Sequence, residues 1–165
     1  MDRSLRVVVM GVSGSGKTLI GAALARALGG AFVEGDDLHP PANRAKMAAG
    51  VPLTDEDRWP WLDRVAAALV RAEPPAVAAC SALRRAYRDR LRAGVPGLVV
   101  VHLDSPREAL EERMRTRRGH FMPASLLQSQ LDALEPPDAG EAAVTVENRG
   151  PPEAVVEAIL AALRP

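Results

Sequence analysis

Eight residues near the start of the chain, Gly11-Val12-Ser13-Gly14-Ser15-Gly16-Lys17-Thr18, constrain the fold more than any other feature. Directly before them, Leu5–Met10 is a short β-branched run that reads as a strand. Directly after them, Leu19–Leu28 reads as a helix stopped by Gly29-Gly30. The glycines let the backbone turn so that successive N–H groups point at a common centre, where an anion satisfies them. The helix opening at that point adds a partial positive charge. The pattern G-x-x-x-x-G-K-[ST], set between a strand and a helix, is a phosphate-binding loop in its proper context.

The rest of the chain keeps the alternation. Strands are expected at Ala31–Glu34, Ala76–Cys80, Leu98–Leu103 and Ala143–Glu147. Helical segments are expected from Pro40-Pro41 to Gly50, from the Thr54–Asp57 capping box to about Ala72, and over Leu83–Ala93. Three more follow: from Ser105, read as an N-cap, to about Arg117, then Ala124–Leu134 and Pro151–Leu163. Alternating strands and helices make a parallel sheet covered on both faces. Its functional residues should follow the carboxyl ends of the strands.

Composition sets the boundaries. The 165 residues suit one domain, 1–165, and at 47% hydrophobic the chain can fill a core. With 21 basic and 21 acidic side chains it is no general nucleic-acid coat. The single cysteine, Cys80, excludes an internal disulfide framework. No apolar run reaches the ~18 residues of a membrane span, and the first apolar stretch is too short for a signal peptide. A cytoplasmic protein without membrane or nucleic-acid partners is expected.

In the loop, the segment Gly11 to Thr18 should hold the phosphates of ATP. Lys17 should reach the β- and γ-phosphates, and the Thr18 hydroxyl should ligate Mg2+. The Asn-Lys-x-Asp element that selects guanine is absent, since the only asparagines are Asn43 and Asn148. Asp104, after the fourth strand, could be a metal-binding acid but sits beside Ser105 and reads better as part of a capping loop. This is the profile of a small-molecule or nucleotide kinase.

The other strand ends supply candidates. Asp36 follows strand two and is expected to accept or orient the proton of an attacking hydroxyl, with Glu34 a candidate for Mg2+ through water. His39 suits hydroxyl recognition, as a neutral donor and acceptor. After strand three come Ser81, Arg84 and Arg85. Arg85 can pair with Asp89 at i,i+4, which leaves Arg84 as the stronger site residue. Arg115 can pair with Glu111 at i−4 or Glu112 at i−3, whereas Arg113 and Arg117 share a helix face with no acid three or four residues before them, a repulsion that a bound triphosphate would resolve. Gly119 offers a pivot for a lid over about 117–125. Lys17 and Lys46 are the only lysines in an arginine-rich chain.

The segments MGVSGSGKT, GDDLHPPANRAKMAAGVPLTDEDRWPWL, CSALRRAYRDRLR and RRGHFMPASLLQSQLDALEPP together cover about half the chain. In them the sequence resembles the small phosphate-loop gluconokinases. The resemblance implies a fold like that of shikimate and adenylate kinases: a five-stranded parallel sheet flanked by helices, a substrate-binding helical region over about 37–72, and a lid. It implies transfer of the ATP γ-phosphoryl group to the 6-hydroxyl of D-gluconate, with Mg2+ as the metal, and it allows a homodimer. It also carries Asn43, Arg44, Lys46, Arg58 and His120 into the substrate region, beside Asp36, Ser81 and Arg84. Arg58 or Arg84 would suit the gluconate carboxylate, and Asp36, His39, Ser81 and Gln130 its hydroxyls. Trp59 and Trp61 are expected to pack the substrate-region helix into the core. Two departures stand out: Glu34, where relatives often carry aspartate, and Arg118, where lysine also occurs. The alternatives are a kinase of another hydroxy acid such as shikimate, and a non-catalytic ATP-binding regulator.

Overall fold

The computed structural model describes residues 2–116 and 124–164. Strand β1 (Arg6–Met10) leads through the glycine loop into α1 (Lys17–Leu28), then β2 (Ala31–Glu34) and a 3₁₀ turn, Gly35–Leu38. Helices α2 (Pro41–Ala48) and α3 (Asp55–Arg71) follow, then β3 (Ala76–Ala79), α4 (Arg85–Gly94) and β4 (Val99–Asp104). The chain closes with α5 (Arg107–Thr116), α6 (Ala124–Ala133), β5 (Ala143–Glu147) and α7 (Pro152–Leu163). The five strands are parallel, in the order β2-β3-β1-β4-β5.

The sheet is buried on both faces, as its near-continuous apolar strands require. Val8 and Met10 of β1 point to one side, with Trp61, Leu62, Val65 and Leu69 of α3 and Tyr87 and Leu91 of α4. Val7 and Val9 point to the other, with Ile20 and Leu24 of α1 and Val155, Val156 and Ile159 of α7. The chain leaves β1 toward one edge and leaves β3 toward the other, so a crevice opens above the carboxyl ends of these neighbouring strands. The glycine loop, the 3₁₀ turn after β2 and the turn after β3 all meet there.

Most elements lie where the sequence places them, and the Thr54–Asp57 capping box forms with both of its hydrogen bonds. Two expectations are corrected. Helix α4 starts at Arg85, because Ala82 takes a left-handed φ of 44° and turns the chain before the helix can begin. Helix α5 starts at Arg107, two residues past Ser105, whose hydroxyl accepts a hydrogen bond from Arg113 at 3.1 Å. Glu111 pairs with Arg107 at 2.9 Å. Residues 117–123, where most of the expected lid falls and which include Arg117, Arg118, Gly119 and His120, lie outside the described residues.

Candidate active site

The glycine loop turns tightly onto α1. Gly16 caps the helix at φ 92°, a conformation that side chains oppose. Ser15 N donates to Val12 O at 3.1 Å, and the Lys17 ammonium donates to the same Val12 carbonyl at 3.1 Å. Thr18, in the first turn of α1, donates its hydroxyl to Glu34 Oε2 at 2.5 Å. The other Glu34 oxygen accepts from Asp36 N at 3.2 Å and so caps the 3₁₀ turn. One carboxylate thus joins the phosphate loop to the turn that carries Asp36. Gly35 makes this approach possible, since a Cβ there would stand 2.3 Å from the Ala79 carbonyl oxygen.

Cys80 reports on the same junction. Its thiol is pushed up to about 12, chiefly by burial, with Asp36 and Glu34 also raising it and Lys17 lowering it. All three charges therefore act on one point, where β1, β2 and β3 end. The thiol itself stays protonated and inert.

Several residues of the expected substrate region pack against one another. His39 is buried, stacked on Trp61 at 4.2 Å between ring centroids, and its Nδ1 faces Asn43 Nδ2 at 3.1 Å. Burial lowers the pKa of His39, against an opposing pull from Asp36, so the ring is neutral at pH 7. Trp61 Nε1 donates to Gly35 O at 2.8 Å, and Trp59 meets Tyr87 edge-on at 5.7 Å. Both indoles thus pack the region, as expected.

The cations divide by what they hold. Arg44 donates to the carbonyls of Asp37 (2.7 Å) and His39 (3.3 Å), bracing the 3₁₀ turn from outside. Lys46 pairs with Asp57 at 2.6 Å and so ties α2 to the capping box of α3. Arg58 donates to Leu53 O at 2.8 Å and lies over the Tyr87 ring, 5.3 Å from its centroid. Arg85 pairs with Asp89 at 3.5 Å, as its spacing predicts. Arg84, the N-cap of α4, is exposed, and its charge is felt by Tyr87. Among the described residues no acid or carbonyl is paired with the Arg84 guanidinium. Ser81 is half-buried at the end of β3, its carbonyl accepting from Gly11 N at 3.3 Å.

Two site candidates sit against the loop itself. Gln130 of α6 accepts the Ser13 N–H at 2.7 Å. Arg113 of α5 donates to Gly14 O at 2.8 Å and to Asn148 O at 3.3 Å. Leu110 and Leu127 of the same two helices pack with Val12 and Leu83, so both helices rest on the loop.

Sequence reasoning passed over Asn148, whose side-chain amide donates to Ser15 O at 2.6 Å. Its position directly after β5 was the available signal, under the same strand-end rule that selected Asp36 and Ser81. It also passed over Arg88, which is fully buried and bonded to Glu141 and to the carbonyls of Ala82 and Glu135. No short-range pattern marks that residue.

A five-stranded parallel sheet with a G-x-x-x-x-G-K-T loop at its crevice, and an acid-bearing turn facing that loop, defines a phosphate-loop kinase. The family described as AAA domain matches residues 7–137. The gluconokinase of Gluconobacter oxydans (strain 621H) is 48% identical over 157 residues, covering 93% of this chain and 88% of its own. A crystal structure of a gluconokinase from Sinorhizobium meliloti 1021 superposes with a TM-score of 0.88 at 49% identity, covering 98% of this chain and 92% of that one. The chain belongs to the gluconokinase family. Shikimate kinase from Aquifex aeolicus vf5, at 20% identity and a TM-score of 0.61, shares the fold alone.

Proposed function

We propose that this chain transfers the γ-phosphoryl group of ATP to the 6-hydroxyl of D-gluconate, giving 6-phospho-D-gluconate and ADP. Its kinship with gluconokinases over nearly the whole chain supports the acceptor. One observation supports the place of reaction: the Thr18–Glu34 hydrogen bond, which brings the phosphate loop and the Asp36 turn into one site.

The residues supply each requirement. The Gly11–Thr18 loop and Lys17 hold the phosphates, the loop through its backbone N–H groups and Lys17 through its ammonium. The gluconate O6 attacks the γ-phosphorus, the bond from that phosphorus to the β,γ-bridging oxygen breaks, and the hydroxyl proton passes to the Asp36 carboxylate. Arg84 takes the substrate carboxylate, while neutral His39 and Ser81 pair with its hydroxyls. Arg44, Lys46 and Arg58 shape the pocket through the backbone and side-chain contacts described above. Arg117 would contact the ATP phosphates and His120 the substrate.

The Thr18 hydroxyl and the Glu34 carboxylate are oxygen donors of the kind a hard cation takes, and would hold Mg2+ there. When bound, Mg2+ would supply charge neutralisation on the phosphate oxygens.

The proposed setting is the cytoplasm, with one kinase domain over 1–165. Among the described residues no helix is long and apolar enough to cross a membrane.

The test is ATP consumption by the purified protein with D-gluconate, shikimate, gluconolactone or no acceptor. Turnover with D-gluconate alone is expected. Turnover with shikimate instead would move the chain to a different acceptor class.

A further inference from the structure

The phosphate loop depends on the orientation of its peptide planes, and one plane is held from outside the loop. We infer that Asn148, on the turn after β5, is a positioning residue of the phosphate loop. Its side-chain amide fixes the Ser15–Gly16 peptide so that the Gly16 N–H faces the cradle. The inference rests on the reading that this loop binds ATP phosphates.

A trans peptide carries its C=O and N–H on opposite sides. Asn148 Nδ2 donates to Ser15 O at 2.6 Å, so the Gly16 N–H of the same peptide points the opposite way. Ser15 O is purely an acceptor, which assigns the nitrogen of the Asn148 amide to the facing position. The hold is needed because Gly16 stands at φ 92° and Gly14 at φ 82°, and peptides beside glycine reorient at little cost. A flipped peptide would put a carbonyl oxygen where an anionic phosphate has to bind.

Asn148 is itself fixed. It is 8% exposed, its N–H donates to Asp104 O at 2.8 Å, and its carbonyl accepts from Arg113. Arg113 also holds Gly14 O, the carbonyl one residue before the one that Asn148 holds. Two successive outward carbonyls of the loop therefore each have a side-chain donor, one from the turn after β5 and one from α5. The fit is close: a Cβ on Gly16 would stand 2.6 Å from Asn148 Nδ2. The last glycine of the motif makes room for this amide as well as for the left-handed turn.

The test compares Asn148→Asp, Asn148→Ala and the wild type. Asn148→Asp keeps the shape but places a carboxylate oxygen against Ser15 O. Calorimetry gives the Kd of Mg–ADP without any acceptor, steady-state kinetics gives KM for ATP and for D-gluconate, and a melting curve reports folding. The expected result for Asn148→Asp is a rise of about tenfold or more in the ADP Kd and the ATP KM. The gluconate KM should stay within about twofold, and Asn148→Ala should shift the same quantities less. A folded Asn148→Asp protein with wild-type ADP Kd and ATP KM would overturn the inference, whether or not its melting temperature falls. If Asn148→Asp does not fold, Asn148→Ala decides by the same comparison. Normal ADP binding by the wild type without gluconate turnover would overturn the acceptor assignment instead, leaving this inference standing.

Discussion

Thr18 Oγ1 donates to Glu34 Oε2 at 2.5 Å, across the gap between the first helix and the end of the second strand. The hydroxyl expected to ligate Mg2+ and the acid expected to assist it are therefore in contact, and the second Glu34 oxygen holds Asp36 N. Removing the charge while keeping the shape, in Glu34→Gln, should raise the Mg2+ concentration for half-maximal activity about tenfold or more. A magnesium titration checks this, and an unchanged midpoint would remove Glu34 from the metal site.

Asp36 lies on the 3₁₀ turn that Glu34 caps, and it is exposed. As proton acceptor it should give an Asp36→Asn variant with kcat lowered by ~10²-fold or more. Steady-state kinetics at saturating ATP and gluconate makes the measurement. A change confined to KM would make Asp36 a binding group.

Arg84 differs from Arg44 and Arg58, whose guanidinium groups hold the carbonyls of Asp37, His39 and Leu53. Replacing it in Arg84→Ala should raise the gluconate KM by roughly 10- to 100-fold, the range for a lost hydrogen bond to a charged group. The ATP KM should not move. Equal effects on both substrates would show that Arg84 supports the fold of the turn after β3 instead.

Arg88 and Glu141 form a fully buried ion pair at 2.5 Å, with Arg92 adding a second guanidinium at 2.9 Å. Burial pushes the Glu141 carboxyl up, but its hydrogen bonds to Arg88 and Arg92 outweigh this and hold its pKa below the usual glutamate value. The stability from this pair is thus present above the ordinary glutamate pKa and is lost as pH falls through the lowered one. Glu141→Ala leaves Arg88 buried without its partner and should cost about 3–5 kcal/mol. That is a fall in Tm of roughly 6–20 °C for a chain of this size. A melting curve checks it, and a Tm within a degree of wild type would contradict the assignment.

The legible features were those written in local pattern. Strands β2 and β5 fall within their expected bounds, the capping box of α3 forms, and the loop sits between strand and helix as its motif demands. The starts of α4 and α5 were less legible, because the left-handed Ala82 and the Ser105–Arg113 contact depend on tertiary neighbours. Glu111 has an arginine four residues away on either side, and spacing alone could not choose between Arg107 and Arg115. Arg44, Lys46 and Arg58 could be named from the sequence as candidates only. Which of them brace carbonyls depends on how the 3₁₀ turn lies against α2. Asn148 meets a loop 133 residues earlier in the chain, and Glu141 meets Arg88 across 53 residues. Contacts of that separation leave no period in the sequence.

The most direct measurement is phosphorus NMR of a reaction mixture containing the protein, ATP, Mg2+ and D-gluconate, with proton–phosphorus correlation to locate the new ester. The account predicts a phosphomonoester signal coupled to the two methylene protons of carbon 6, appearing as ADP forms and absent with Lys17→Ala. ADP and inorganic phosphate without an ester, or an ester on any other carbon, would contradict it.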